Sequence, residues 1–181
     1  MYKRQISNGQ FEIWYQPKYN PVDNKLVGAE ALVRWRGGDG KLISPARFIP
    51  LFEKDGLIKT LDEYVFKGVC RQQAEWKSKG RQIIPVSINL SRATLYFESV
   101  AELYKCIANE TGIDTKYVPI EITESAAIDN ANIKVLADQF HNNGFSLLVD
   151  DFGSGYSSLS TINMKCFDTL KIDKSLIDYI G

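Results

Sequence analysis

Asp150 and Asp151 stand side by side at the end of the apolar run Leu147-Leu148-Val149, and Phe152-Gly153-Ser154-Gly155 follows at once. Two adjacent carboxylates repel each other and are costly unless something positive sits between them. A divalent cation is the simplest such partner. Oxygen side chains interrupt other apolar segments in the same way: Glu30 in Gly28-Ala29-Glu30-Ala31-Leu32, Asn89 in Ser87-Ile88-Asn89-Leu90-Ser91, and Glu121 then Glu124 in Glu121-Ile122-Thr123-Glu124-Ser125. Leu170-Lys171-Ile172-Asp173 adds an ammonium and one more carboxylate. A single Glu or Asn near a strand end is usually a cap or a surface residue. Successive interruptions of this kind, nearly all oxygen donors, are hard to explain as solvated ends, because an unpaired buried carboxylate is expensive. Converging oxygens without Cys or His select a hard cation, Mg²⁺ or Mn²⁺, over zinc or copper. The Asp150–Asp151 pair could bridge two such ions, the arrangement used for in-line displacement at phosphorus, and Lys171 suits a place near water or a phosphate oxygen. The pattern points to a metal-dependent hydrolase of phosphoryl compounds.

The elements that must position these residues can be read from periodicity. Phe11 to Tyr19 and Leu26 to Trp35 are β-rich runs around the turn Asn20-Pro21-Val22-Asp23-Asn24-Lys25, which predicts an antiparallel hairpin. Ser44-Pro45 opens a short helix, Ala46 to Lys54, and Leu61, Tyr64, Val65 and Gly68 mark one face of a longer helix ending near Lys79-Gly80. Strands are then expected at Ile83–Leu90, Val118–Ile122, Phe145–Asp151 and Thr169–Ile172. Helices are expected at Val100 to Gly112, around Ile133–Phe140, after Tyr156, and from Lys174 onward. Strands alternating with helices predict an α/β domain with a parallel sheet, open or closed into a barrel, and one domain over residues 1–181.

Composition excludes several classes. The 181 residues carry 22 Lys plus Arg against 22 Asp plus Glu, so no global charge draws the chain to DNA or to a membrane surface. No run is long enough to span a bilayer. Three widely spaced cysteines, Cys70, Cys106 and Cys166, match no metal spacing and suggest reduced thiols in a cytoplasmic protein. The single histidine, His141, makes a Ser-His-Asp triad improbable. Trp14, Trp35 and Trp76 are read as ordinary core residues. Gly153-Ser154-Gly155 lacks the third glycine of a dinucleotide fingerprint and is read as a loop.

Together with Tyr15-Gln16-Pro17, Glu30-Ala31-Leu32-Val33-Arg34-Trp35, Pro45-Ala46-Arg47-Phe48-Ile49-Pro50 and Asp150-Asp151-Phe152-Gly153-Ser154-Gly155-Tyr156-Ser157-Ser158-Leu159, the segments around Asn89, Glu121 and Lys171 run in the order found in the EAL domain, the bacterial cyclic di-GMP phosphodiesterase family, which this chain resembles over nearly its whole length. The resemblance implies a TIM-type (β/α) barrel with an antiparallel first strand. It implies that Glu30, Asn89, Glu121 and Asp150 hold one metal ion, that Asp150 and Asp151 hold a second, and that Lys171 helps position the attacking water, with Glu30, Lys171 and Asp151 at the reacting centre. Gln16, Leu32, Arg34 and Asp173 match positions that contact the dinucleotide or shape its pocket. Glu124 matches the anchor of the loop Phe152 to Ser158, which in the family links metal occupancy to a dimer interface. Homodimerisation, cyclic di-GMP as ligand and further signalling domains in a longer parent protein follow as expectations. A complete family member continues past the Leu-Lys-Ile-Asp strand with two more strands and a further glutamate. Six strands of eight are therefore expected here, with hydrolysis by this chain weak or lost; the alternative is a non-catalytic receptor for the nucleotide or a partner protein.

Overall fold

A computed structural model describes residues 3–128, 132–153 and 164–178. Its frame is one sheet in which β1 (Phe11–Tyr19), β2 (Leu26–Arg36), β4 (Val86–Asn89), β5 (Ile120–Thr123), β6 (Leu147–Phe152) and β7 (Thr169–Ile172) lie side by side in that order. The two-residue β3 (Leu42–Ile43) pairs with the end of β2. The hairpin predicted from residues 11–35 is antiparallel, and every later pairing along the path is parallel. Among the described residues the sheet does not close: β1 and β7 each keep an unpaired edge.

Between the strands run α2 (Pro45–Lys54), α3 (Ile58–Ser78), α4 (Arg92–Leu95), α5 (Val100–Thr111), α6 (Glu124–Ile128) and α7 (Ile133–Asn142); α1 (Lys3–Ser7) precedes β1, and α8 (Lys174–Ile177) follows β7. The short elements α1, β3, α4 and α6 carry too few periods to be seen in the sequence. The helix expected after Tyr156 lies outside the described residues.

Alternation along each strand sorts residues onto two faces. Ala29 and Ala31, Val86 and Ile88, Ile120 and Ile122, and Leu147 and Val149 point to the helical side. There they pack with Val65, Phe66 and Val69 of α3, Tyr104 and Ile107 of α5, and Phe140 of α7 in one continuous core. Phe66 stacks on Tyr104 with ring centroids 4.1 Å apart. A second cluster, Phe11, Trp35, Phe48, Phe52, Ile58 and Leu61, closes the end of the hairpin against α2. Trp35 is buried, whereas Trp14 is 46% exposed and so is not the core residue expected; it sits on the other, polar face of β1.

Three strands start later than their apolar runs suggest, at Val86 instead of Ile83, at Ile120 instead of Val118 and at Leu147 instead of Phe145. The first two are preceded by a proline, which has no N–H to give to a ladder. The prolines enter as acceptors only: Ala29 N–H donates to Pro85 O at 2.9 Å and Ile88 N–H to Pro119 O at 3.0 Å. At Gly28 a Cβ would come within 2.9 Å of Pro85 O, so the close approach of β2 to this carbonyl requires glycine.

Candidate active site

Register carries the polar residues to one face. Glu30 of β2 lies opposite Gln16 of β1 and level with Ser87 of β4, while Asn89 of β4 is level with Glu121 of β5. Thr123 of β5 is level with Asp150 of β6. Counting in twos from these pairs places Lys18, Gln16, Glu30, Ser87, Asn89, Glu121, Asp150 and Lys171 on the inner face, away from the helices.

Glu30, Glu121 and Asp150 form a carboxylate group whose ligand oxygens lie within 4.8 Å of one another. The Lys171 ammonium is centred on it, 2.8 Å from Glu30 Oε2, 2.7 Å from Glu121 Oε2 and 2.9 Å from Asp150 Oδ1. Glu121 has no exposed side-chain surface. Its second oxygen, Oε1, accepts from Lys18 Nζ at 2.7 Å, and Lys18 also donates to Ser87 Oγ at 2.8 Å. Burial pushes the Glu121 carboxyl up, but hydrogen bonds from Lys171 and Lys18 outweigh it and hold the group below the usual carboxylate range. Burial likewise opposes the charged Lys171, and Glu121, Glu30 and Asp150 outweigh it, so its ammonium is held more firmly than that of a free lysine.

The remaining expected residues fall around this centre. Asn89 Nδ2 donates to Glu30 Oε1 at 2.9 Å. Asp151 lies outside the three-carboxylate group and is exposed. Its φ of +54° lies within β6 at a register shift between Val149 and Phe152, and its N–H donates to Asp150 Oδ1 at 2.9 Å. Partial burial raises its pKa, and the negative charges of Asp150, Asp173 and Glu30 add to the rise. Leu32 and Arg34 border an apolar cleft of about 230 Å³ shared with Pro45, Ile49, Leu61 and Asn89. The Arg34 guanidinium lies 5.8 Å from the Trp14 ring centroid, and Gln16 is exposed beside Glu30. Asp173 Oδ1 caps α8 through Ser175 N–H at 2.8 Å. Glu124 is buried and its Oε2 accepts from Gly153 N–H at 2.8 Å, at the root of the segment after the Asp pair; Ser154–Ser158 lie outside the described residues.

Lys18 was not anticipated. The signal was present, because Lys18 is two residues beyond Gln16 on a strand and so shares its face, but it shows only once the hairpin register is known.

The donor set suits a metal ion: three carboxylates and a carboxamide on the inner face of adjacent strands, all hard oxygen-bearing groups. The family model for the EAL domain matches residues 1–181. The chain belongs to the EAL domain family. It is 36% identical over 181 residues to the oxygen sensor protein DosP of Escherichia coli (strain K12), covering 97% of this chain and 22% of the relative. It is 34% identical over 176 residues to the cyclic di-GMP phosphodiesterase PdeR of the same organism, covering 97% of this chain and 26% of the relative. The chain therefore spans well under two thirds of these relatives. Among solved structures, the PaMucR phosphodiesterase in complex with c-di-GMP superposes with a TM-score of 0.88 at 31% identity, over 98% of this chain and 72% of that one. EAL domains are TIM-type barrels, and the open six-strand path with its antiparallel first strand is an incomplete one. No helix among the described residues is long and apolar enough to cross a membrane.

Proposed function

We propose that this EAL domain hydrolyses cyclic di-GMP to the linear dinucleotide. The observation that carries the proposal is the group Glu30, Glu121 and Asp150 gathered around Lys171 on the inner face of the sheet, in a chain whose relatives include a named cyclic di-GMP phosphodiesterase. Glu30, Asn89, Glu121 and Asp150 would hold one Mg²⁺ or Mn²⁺ ion, and Asp150 with Asp151 a second. Bound there, such ions polarise a phosphoryl oxygen and lower the pKa of a water molecule.

The chain's own residues do the rest. Lys171 holds the attacking water and offsets charge on the phosphoryl oxygens. Arg34 and Gln16 orient the phosphodiester, Leu32 with the apolar cleft covers a base, and Asp173 borders the mouth. The water oxygen gives up a proton as it bonds to phosphorus, one P–O bond to ribose breaks, and the leaving ribose oxygen takes up a proton in turn. Glu124 holds the root of the following loop through Gly153. A homodimer is the proposed assembly, since pairing of two copies would cover unpaired strand edges such as those of β1 and β7. The location proposed is the cytoplasm, in keeping with cysteines that are free among the described residues, and further signalling domains are proposed for a longer parent protein.

The test is conversion of cyclic di-GMP to the linear form with Mg²⁺ or Mn²⁺, by this chain and by a version carrying two further barrel strands. Turnover that survives Glu30→Ala would overturn the assignment. Binding of the nucleotide without hydrolysis in both versions would instead show a receptor.

A further inference from the structure

We infer that Lys18 is a positioning residue that sets the orientation of the metal ligand Glu121 from the side away from the mouth. The inference rests on the metal-ion assignment above. A carboxylate used as a ligand must present a chosen oxygen, and a buried one is free to turn unless its other oxygen is held. Glu121 Oε2 faces Glu30 and Asp150 across Lys171, while Oε1 points away to Lys18 Nζ at 2.7 Å. The Lys18 ammonium is itself fixed by Ser87 Oγ at 2.8 Å, and that hydroxyl lies 3.3 Å from Ala29 O. The chain Ala29–Ser87–Lys18–Glu121 thus crosses β2, β4, β1 and β5 and ends on the one carboxylate in the group with no exposure.

The geometry depends on the reversed direction of β1. Along the parallel strands the chain runs toward the mouth, whereas β1 runs the other way, so its last residues lie on the side of the ligands away from the mouth. Lys18 pairs with Gly28, and Gln16, one step nearer the mouth, pairs with Glu30. Glycine at 28 leaves no side chain opposite Lys18 on β2. The lysine, one third exposed, reaches inward beneath the carboxylates as a floor to the site.

The experiment measures Mn²⁺ binding to the whole chain by titration calorimetry, alongside melting in chelator. Lys18→Met is expected to weaken Mn²⁺ binding roughly 10- to 100-fold, as for other residues that orient metal ligands. Lys18→Arg should restore most of the affinity, and Ser87→Ala should give a smaller loss in the same direction. A lysine that only neutralises buried charge would, when removed, lower the melting point in chelator and leave Mn²⁺ affinity unchanged or raise it, since one cation fewer repels the ion; either result overturns the inference. Should Lys18→Met not fold, as judged by circular dichroism, unchanged affinity in Ser87→Ala overturns it instead. If the unsubstituted chain binds no Mn²⁺, the metal assignment falls and this inference with it, an outcome distinct from a tight parent and an equally tight variant.

Discussion

Glu121 is a carboxylate with both oxygens committed to lysines, Lys171 on one side and Lys18 on the other. Glu121→Gln would leave two ammonium groups facing a neutral amide. Removing one partner of a buried ionic group usually destabilises by 3–5 kcal/mol. Both lysines keep some exposure, so a loss of about 3 kcal/mol is expected in urea unfolding with chelator present. Mn²⁺ binding and hydrolysis should be lost in the same variant. Glu30, Asn89, Glu121 and Asp150 were visible in the sequence because each is an oxygen side chain set in an apolar strand, a conflict that only function or pairing resolves. Lys18 follows Pro17 and precedes Tyr19, where a lysine breaks no pattern. Asp151 was legible as a carboxylate, but its left-handed backbone, which separates it from Asp150, was not.

At the level of elements, two junctions join the helices to the site. Gly153, at φ +92°, lies under Leu176 of α8: a Cβ there would clash with Leu176 Cδ1 and come within 2.7 Å of Cγ. Gly153→Ala is expected to cost about 2 kcal/mol, since an L-residue in left-handed backbone loses 1–2 kcal/mol before any clash. Leu176→Ala in that background should recover the clash part alone, which a double-mutant comparison of urea midpoints would measure. The second junction is Asp62 of α3, whose Oδ2 accepts from Ser91 N–H, Ser91 Oγ and Thr94 Oγ1 at the start of α4. Burial raises its pKa above 3.8 and outweighs the hydrogen bonds from Ser91 and Thr94. The folded state then holds the proton more tightly than the unfolded one. This group's contribution to stability therefore falls as pH rises above 3.8, by up to about 1.4 kcal/mol per pH unit, until Asp62 ionises in the fold. Asp62→Asn should remove that slope, as followed by urea unfolding across acidic pH. Strand positions were readable from apolar runs, yet the starts of β4 and β5 were not, because Pro85 and Pro119 sit within those runs while lacking the N–H that a ladder uses.

Over the whole molecule, the antiparallel β1 followed by parallel strands was legible because a six-residue turn sits between the first two runs, whereas later strands are separated by helix-length segments. Sheet order followed from chain order. The exposed Trp14 was not legible, because strand composition does not say which face of β1 meets the helices. Glu30→Ala should abolish conversion of cyclic di-GMP, measured by chromatography of the linear product, while leaving the helix signal in circular dichroism intact. The internal pairing of the carboxylates has a practical consequence. A site of three acids with no cations of its own would depend on its metal to fold, and stripping the ion would risk precipitating the protein. Here two lysines balance most of that charge from within. Loading and unloading should therefore be reversible operations on an already folded chain. A single preparation could be emptied with chelator and refilled with Co²⁺ or Mn²⁺ as a spectroscopic reporter, with no refolding step between.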